Sequence, residues 1–94
     1  MGLPEFGGNV DVLLWNDYGY ITETSVRNVA FFRTRWLTPT DVTGCLEGVM
    51  RRWLLANKRI FEDKSGVLRV NGVQRGETVM TFNAVEGCRL AVVR

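Results

Sequence analysis

Three short segments hold the residue types that could do chemistry. The first is Glu23-Thr24-Ser25-Val26-Arg27-Asn28. A carboxylate set beside apolar residues needs a cationic or hydrogen-bonding partner, because burying it unpaired is costly. Its plain structural readings are a solvated strand glutamate, or one paired with Arg27 or Arg51. The second segment is Cys45-Leu46-Glu47-Gly48-Val49-Met50-Arg51. Gly48 falls in the first turn of an expected helix, where N–H groups with no side chain in the way can receive a phosphate. Its plain reading is a glycine that permits close packing. The third is Thr81-Phe82-Asn83-Ala84-Val85-Glu86-Gly87. Here a strand runs into a small polar turn of the kind that presents amides to an anion. The plain reading is an ordinary strand connection.

Composition narrows the chemistry further. The chain has 94 residues, 46% hydrophobic and 23% charged, which suits one small folded unit with a thin core. Its net charge of +2 is too small, with arginines and lysines too scattered, to argue for a nucleic-acid partner. No apolar run approaches a membrane span and no secretory leader is visible, so the expected setting is cytoplasmic, without a membrane partner. Cys45 and Cys88 lack metal-ligand spacing, and the sequence contains no histidine. Zinc binding and Ser-His-Asp or Cys-His catalysis are therefore not expected. What remains is carboxylate, lysine or cofactor chemistry.

The elements that must position these segments follow from hydrophobic patterning. Strands are expected at Val10 to Trp15, Tyr20 to Ser25, Val29 to Arg33, Arg35 to Leu37, Thr78 to Phe82 and Arg89 to Val93. Asn16-Asp17-Tyr18-Gly19 supplies the turn of a first hairpin. Alternation along the second strand places Ile21, Glu23 and Ser25 on one face. Thr38 to Cys45 reads as a loop, although Thr38-Pro39-Thr40-Asp41 resembles a helix start. The spacing of Leu46, Val49, Met50, Trp53 and Leu54 predicts one helix from about Glu47 to Lys58. Met1 to Asn9 is expected to be an irregular lead-in, and Val67 to Val70 extended or a partial turn. The fold class is α+β: a twisted, mostly antiparallel sheet on one main helix. The candidate core is Leu13, Trp15, Ile21, Phe31, Val49, Trp53, Leu54, Val79, Phe82 and Leu90.

Taken together and in order, these segments resemble a known family. Glu23-Thr24-Ser25-x-x-Asn28-Val29, Leu37-Thr38-Pro39, Gly44-Cys45-Leu46-x-Gly48-Val49-Met50-Arg51 and Phe82-Asn83-Ala84-Val85-x-Gly87 resemble the class IV aminotransferases, in the aminodeoxychorismate-lyase-like branch. The resemblance covers about Val10 to Val93. It implies the C-terminal large domain of that fold and the cofactor pyridoxal 5'-phosphate (PLP). It implies that Glu23 contacts the protonated ring nitrogen, which makes the ring an electron sink. Asn28 would fix the geometry of the strand after it. Gly48, Val49 and Met50 would offer amides to the cofactor phosphate, with Asn83 and Ala84 near the same group. Arg51 matches the basic residue that closes the helix-start motif.

The pattern departs from the family in four places. Ala30 stands where an aromatic residue usually follows Asn28-Val29, with Phe31 one position later. Glu47 replaces a common proline and brings a negative charge near the expected phosphate site. Met50 replaces a common threonine and removes a hydroxyl. The family's Schiff-base lysine precedes the glutamate by a few dozen residues, yet the only lysines here are Lys58 and Lys64. The expectation is thus a fragment, residues 1–94 forming a single partial domain, with no catalytic residue of its own and inactive alone. A missing N-terminal half or a homodimer partner would complete it. The rival from another class is a noncatalytic α+β interaction module.

Overall fold

The computed structural model describes residues 2–4 and 10–94, the region that holds every expected element except most of the lead-in. Its strands are β1 (Gly2–Pro4), β2 (Val10–Trp15), β3 (Ile21–Thr24), β4 (Asn28–Arg33), β5 (Arg35–Thr38), β6 (Phe61–Glu62), β7 (Thr78–Asn83) and β8 (Gly87–Val92). The helix α1 spans Val49–Ala56, and short 3-10 turns lie at Asp41–Thr43 and Val70–Gly72. A three-stranded sheet runs β1-β2-β3, and a five-stranded sheet runs β6-β5-β4-β7-β8. Every pairing is antiparallel except β5 with β6. The α+β class and the mostly antiparallel sheet on one helix are as the sequence reads.

The first hairpin closes where its turn chemistry says it should. The Asn16 side-chain oxygen accepts hydrogen bonds from the Tyr18 and Tyr20 amides at 3.0 and 3.1 Å. Gly19 follows at φ +83°, a conformation that costs glycine little. At the β2–β3 pairing the register shifts between Leu14 and Trp15. That irregularity breaks the expected alternation: Ile21 is buried, Glu23 half-buried and Ser25 exposed, while Thr22 and Thr24 also turn inward.

The five-stranded sheet is sealed on one face and partly covered on the other. On one, Val29, Phe31, Val79, Ala91 and Val93 pack with Leu13, Ile21 and Leu68. On the other, Ala30 and Phe82 pack with Leu54 and Ile60, flanked by Met50 and Met80. Each fully buried side chain of this size contributes roughly 1.5–3 kcal/mol of transfer free energy.

Four core expectations are corrected. Trp15, Val49, Trp53 and Leu90 are 47%, 61%, 54% and 47% exposed. Helix α1 buries Arg51 and Leu54 and lays Met50 and Leu55 on the sheet, so its packed side is rotated away from Val49 and Trp53. Arg51 dictates that rotation by donating to the Pro39 carbonyl at 2.9 Å and to Glu62 at 3.1 Å. Leu90 shares a face with Met80 on β8, the edge strand, beyond the helix's cover. Trp15 sits at the register shift.

The helix is also shorter than its pattern. Gly48 is extended, with ψ 162°, so the helix starts at Val49. At the far end Lys58 takes φ +56°, and its amide bonds back to Leu55, which ends the helix early. Three features were unforeseen: β1 inside the lead-in, the two-residue β6, and the turn at Val70–Gly72. The rest of the lead-in (Met1 and residues 5–9) lies outside the described residues.

Candidate functional site

Two of the three segments meet at one residue, Leu46. The Glu23 carboxylate accepts a hydrogen bond from the Leu46 amide at 2.6 Å. The Asn28 side-chain amide donates to the carbonyl of the same residue. Leu46 is thus held at both backbone groups, one from β3 and one from the start of β4. A charge-assisted bond of the first kind is worth about twice a neutral one. Glu23 is therefore paired with neither Arg27 nor Arg51 and is not simply solvated.

Gly48 follows two residues later and lies against Asn28. A Cβ built on Gly48 would come within 2.8 Å of the Asn28 side-chain oxygen, too close for real atoms. Asn28 is 4% exposed and tethered to Leu46, so it has little room to yield. The glycine is thus needed for the close approach of β4 to the helix start. The first intrahelical bond runs from the Arg52 amide to the Gly48 carbonyl. The amides of Val49, Met50 and Arg51 stand ahead of that ladder. No side chain caps them, and no acid sits in the first helical turn. Glu47 lies just before it, with its carboxylate 3.8 Å from the Arg51 guanidinium, which draws that charge toward a cation. The Val49 side chain is exposed and Met50 is half-buried among the apolar side chains under the helix.

The third segment arrives at the same end of the sheet. Asn28 opens β4 and is the register partner of Phe82, directly before Asn83. In the β7–β8 turn the Asn83 side-chain oxygen accepts the Val85 and Glu86 amides at 3.1 and 2.7 Å. Ala84 is exposed beside them, and Gly87 closes the turn at φ +74°. The fold thus brings together Glu23, Asn28 and Gly48 by contact, and Asn83 and Ala84 by strand pairing. Val49 and Met50 follow Gly48 in the opening turn. Arg51 takes a different place: it is buried and ties the helix to Pro39 and Glu62.

Sequence reasoning missed the ion cluster behind this end of the sheet. Arg27, 5% exposed, donates to buried Asp11 at 2.6 Å and is ion-paired with Glu86. The signal was Asp11 itself, an acid interrupting the apolar run of β2, which a buried site must match with a cation. Cysteine chemistry has little support here. Burial pushes the Cys45 thiol pKa up against the pull of Arg51, and burial raises that of Cys88 as well. Among the described residues no helix is long and apolar enough to cross a membrane, and no group of acids and cysteines could hold a metal ion.

The likeness to known proteins spans nearly the whole chain. The family model for amino-transferase class IV matches residues 7–92. A Schizosaccharomyces pombe protein assigned as an aminodeoxychorismate lyase is 45% identical over 75 residues, covering 79% of this chain and 32% of that protein. The aminodeoxychorismate lyase of Saccharomyces cerevisiae is 32% identical over 90 residues, covering 89% of this chain and 23% of the relative. A crystal structure of a Legionella pneumophila protein assigned as a 4-amino-4-deoxychorismate lyase shares the fold. It superposes with a TM-score of 0.64 at 24% identity, over 93% of this chain and 32% of its own. The chain therefore spans between about a quarter and a third of the proteins it matches.

Proposed function

From the premise that this chain belongs to the class IV aminotransferases, a family of PLP-dependent enzymes, we propose that it forms the cofactor-gripping wall of an aminodeoxychorismate-lyase-type enzyme. The observation that carries this reading is the shared grip on Leu46, which sets the Glu23 carboxylate beside the uncapped opening turn of α1. The donor set suits the cofactor. PLP has a basic nitrogen at one end of a planar ring and a phosphate at the other. Glu23 offers a carboxylate to the first. The amides of Val49 and Met50, unobstructed by a side chain at Gly48, offer neutral donors to the second. Asn83 and Ala84 adjoin the phosphate from the β7–β8 turn, and Asn28 keeps the two ends in register.

Each residue then has a distinct task. Glu23 holds a proton on the ring nitrogen. The α1 amides stabilise the phosphate by hydrogen bonding at the positive end of the helix dipole. When bound, PLP supplies an electron sink for carbanion chemistry at the substrate. The 45% identity to the fission-yeast protein favours the lyase branch, elimination from aminodeoxychorismate, over amino-group exchange. The amine for covalent attachment comes from outside this wall. Lys58 lies just past the end of α1 remote from Gly48, and Lys64 follows β6; both are exposed. The 94 residues alone are accordingly expected to be inactive.

The test is a titration of the 94-residue chain with PLP, followed by absorbance. Binding should be reversible, with no single lysine labelled after borohydride reduction and no pyruvate released from aminodeoxychorismate. Glu23→Gln keeps an acceptor for the Leu46 amide but loses the charge. It should weaken PLP binding by roughly tenfold, as loss of one charge-assisted contact does. Wild-type affinity in that variant would overturn the assignment.

A further inference from the structure

Arg27 lies between the two halves of this site without belonging to either. It sits in the turn between β3, which carries Glu23, and β4, which starts with Asn28. That turn is closed tightly around it. The Thr24 amide donates to the Arg27 carbonyl at 2.8 Å, and the Arg27 amide donates to the Thr24 hydroxyl at 3.0 Å. Among the described residues the guanidinium meets two acids. One nitrogen meets Asp11 of β2, itself 3% exposed, and the other meets Glu86. Glu86 belongs to the β7–β8 turn, and its amide is one of the two that bind the Asn83 side chain. Its second carboxylate oxygen meets Arg89 at 3.1 Å.

A buried arginine between two acids is strongly oriented. Its planar fork fixes both partners at once, and a lysine of similar length cannot do so. Breaking such a pair from one side leaves a charge without its match in a place where water screens poorly. Among the described residues this cluster joins β2, the β3–β4 turn and the β7–β8 turn.

We infer that Arg27 is a positioning residue: through Glu86 it sets the β7–β8 turn, with Asn83 and Ala84, at a fixed distance from Glu23, so that the phosphate and ring nitrogen of one cofactor are gripped together. This rests on the cofactor reading above and extends it to residues that touch no cofactor. It makes the contribution of the β7–β8 turn specific to the phosphate.

The experiment compares PLP with pyridoxal, which lacks the phosphate, on the 94-residue chain and on Glu86→Gln and Arg27→Lys. Glu86 is partly exposed, so Glu86→Gln should fold. The inference expects Glu86→Gln to weaken PLP binding by roughly tenfold, about one misaligned phosphate contact, while pyridoxal binding stays at the wild-type level. Amide hydrogen exchange should quicken at Val85 and Glu86 and stay unchanged across β4. Arg27→Lys, where it folds, should show the same pattern, since Lys cannot span Asp11 and Glu86. Equal loss for both ligands, or exchange that quickens everywhere, would reduce Arg27 to general stability and overturn the inference. Unchanged PLP affinity in Glu86→Gln would overturn it too. A wild-type chain that binds neither ligand sinks the cofactor reading itself and takes the inference with it.

Discussion

The two faces of the five-stranded sheet solve different problems. The face toward β2 and β3 is sealed: Val29, Phe31, Val79, Ala91 and Val93 are at most 1% exposed. The face toward α1 is covered only in part. Ala30 and Phe82 are fully buried there, yet Phe32 and Leu90 on the same side are 53% and 47% exposed. The sealed face holds apolar side chains that close a core. The partly covered face carries Asn28, the helix start and the glycine against it. A small domain cannot seal everything. This one closes an apolar core on one side and, on the other, places the tightly held contact of Asn28 with Leu46 and Gly48 beside apolar side chains left exposed.

Core truncation gives the largest expected effect. Phe31→Ala should cost about 3–5 kcal/mol, because two packed sheets cannot collapse onto the gap. Leu54→Ala should cost nearer 2–3 kcal/mol, since one short helix can settle toward the sheet. Urea denaturation of the two variants at the same temperature ranks them. A costlier Leu54→Ala would erase the distinction between the faces.

Next in size is the contact between Asn28 and Gly48. The backbone of Gly48 is ordinary, with φ −73°, so Gly48→Ala suffers no strain of conformation. Its cost is the displacement of Asn28 from Leu46, about 1–2 kcal/mol for a disrupted, largely buried hydrogen bond. In an Asn28→Ala background the same change should cost almost nothing. A double-mutant cycle measures that coupling directly. Additive losses would mean that the glycine serves something other than room for Asn28.

Smaller still is Trp53→Ala. The helical periodicity marks Trp53 as core, but the chain leaves it 54% exposed. Its removal should change stability by only about 0.5 kcal/mol, within the range for surface positions. A loss of several times that, by thermal melting, would put Trp53 back among the residues that hold α1.

Much of this layout is legible in the sequence. The strands from β2 to β5 and both β7 and β8 were legible because β-branched and aromatic residues cluster between turn-forming ones. The family resemblance implied that Glu23, Asn28 and Gly48 serve one site, but their junction at Leu46 left no signal in the sequence. What escaped was direction and small scale. Val49, Met50, Trp53 and Leu54 form one stripe on paper, and only the buried bonds of Arg51 decide which edge of it faces the sheet. The β2–β3 register shift is invisible in a pattern of alternation. Strand β6 is too short to leave a periodic signal. The link from Arg27 to Asp11 and Glu86 joins residues up to 59 positions apart; the sequence announces only that Asp11 needs a partner.

The smallest expected effect concerns the rim of the sealed face. Arg33 ends β4 with its guanidinium 5.4 Å from the centre of the Phe31 ring, and it pairs with Glu77 at 2.8 Å. Burial alone would raise the Glu77 carboxyl. Hydrogen bonds from Arg33 and the Gln74 amide, with the charge of Arg33, outweigh it and hold the pKa below its ordinary value of 4.5. A carboxylate whose pKa is lower when folded binds fewer protons folded than unfolded. Its contribution is then complete above the unfolded value and fades as the pH falls through the folded one. Stability measured by urea denaturation should therefore drop on acidification below about pH 4.5, and Glu77→Gln should flatten that limb. The change is small because Arg33 remains part-exposed and water screens the pair. If Glu77→Gln leaves the acid limb unaltered, the rim adds nothing to the closure of that face, and burial of Phe31 and its neighbours alone accounts for it.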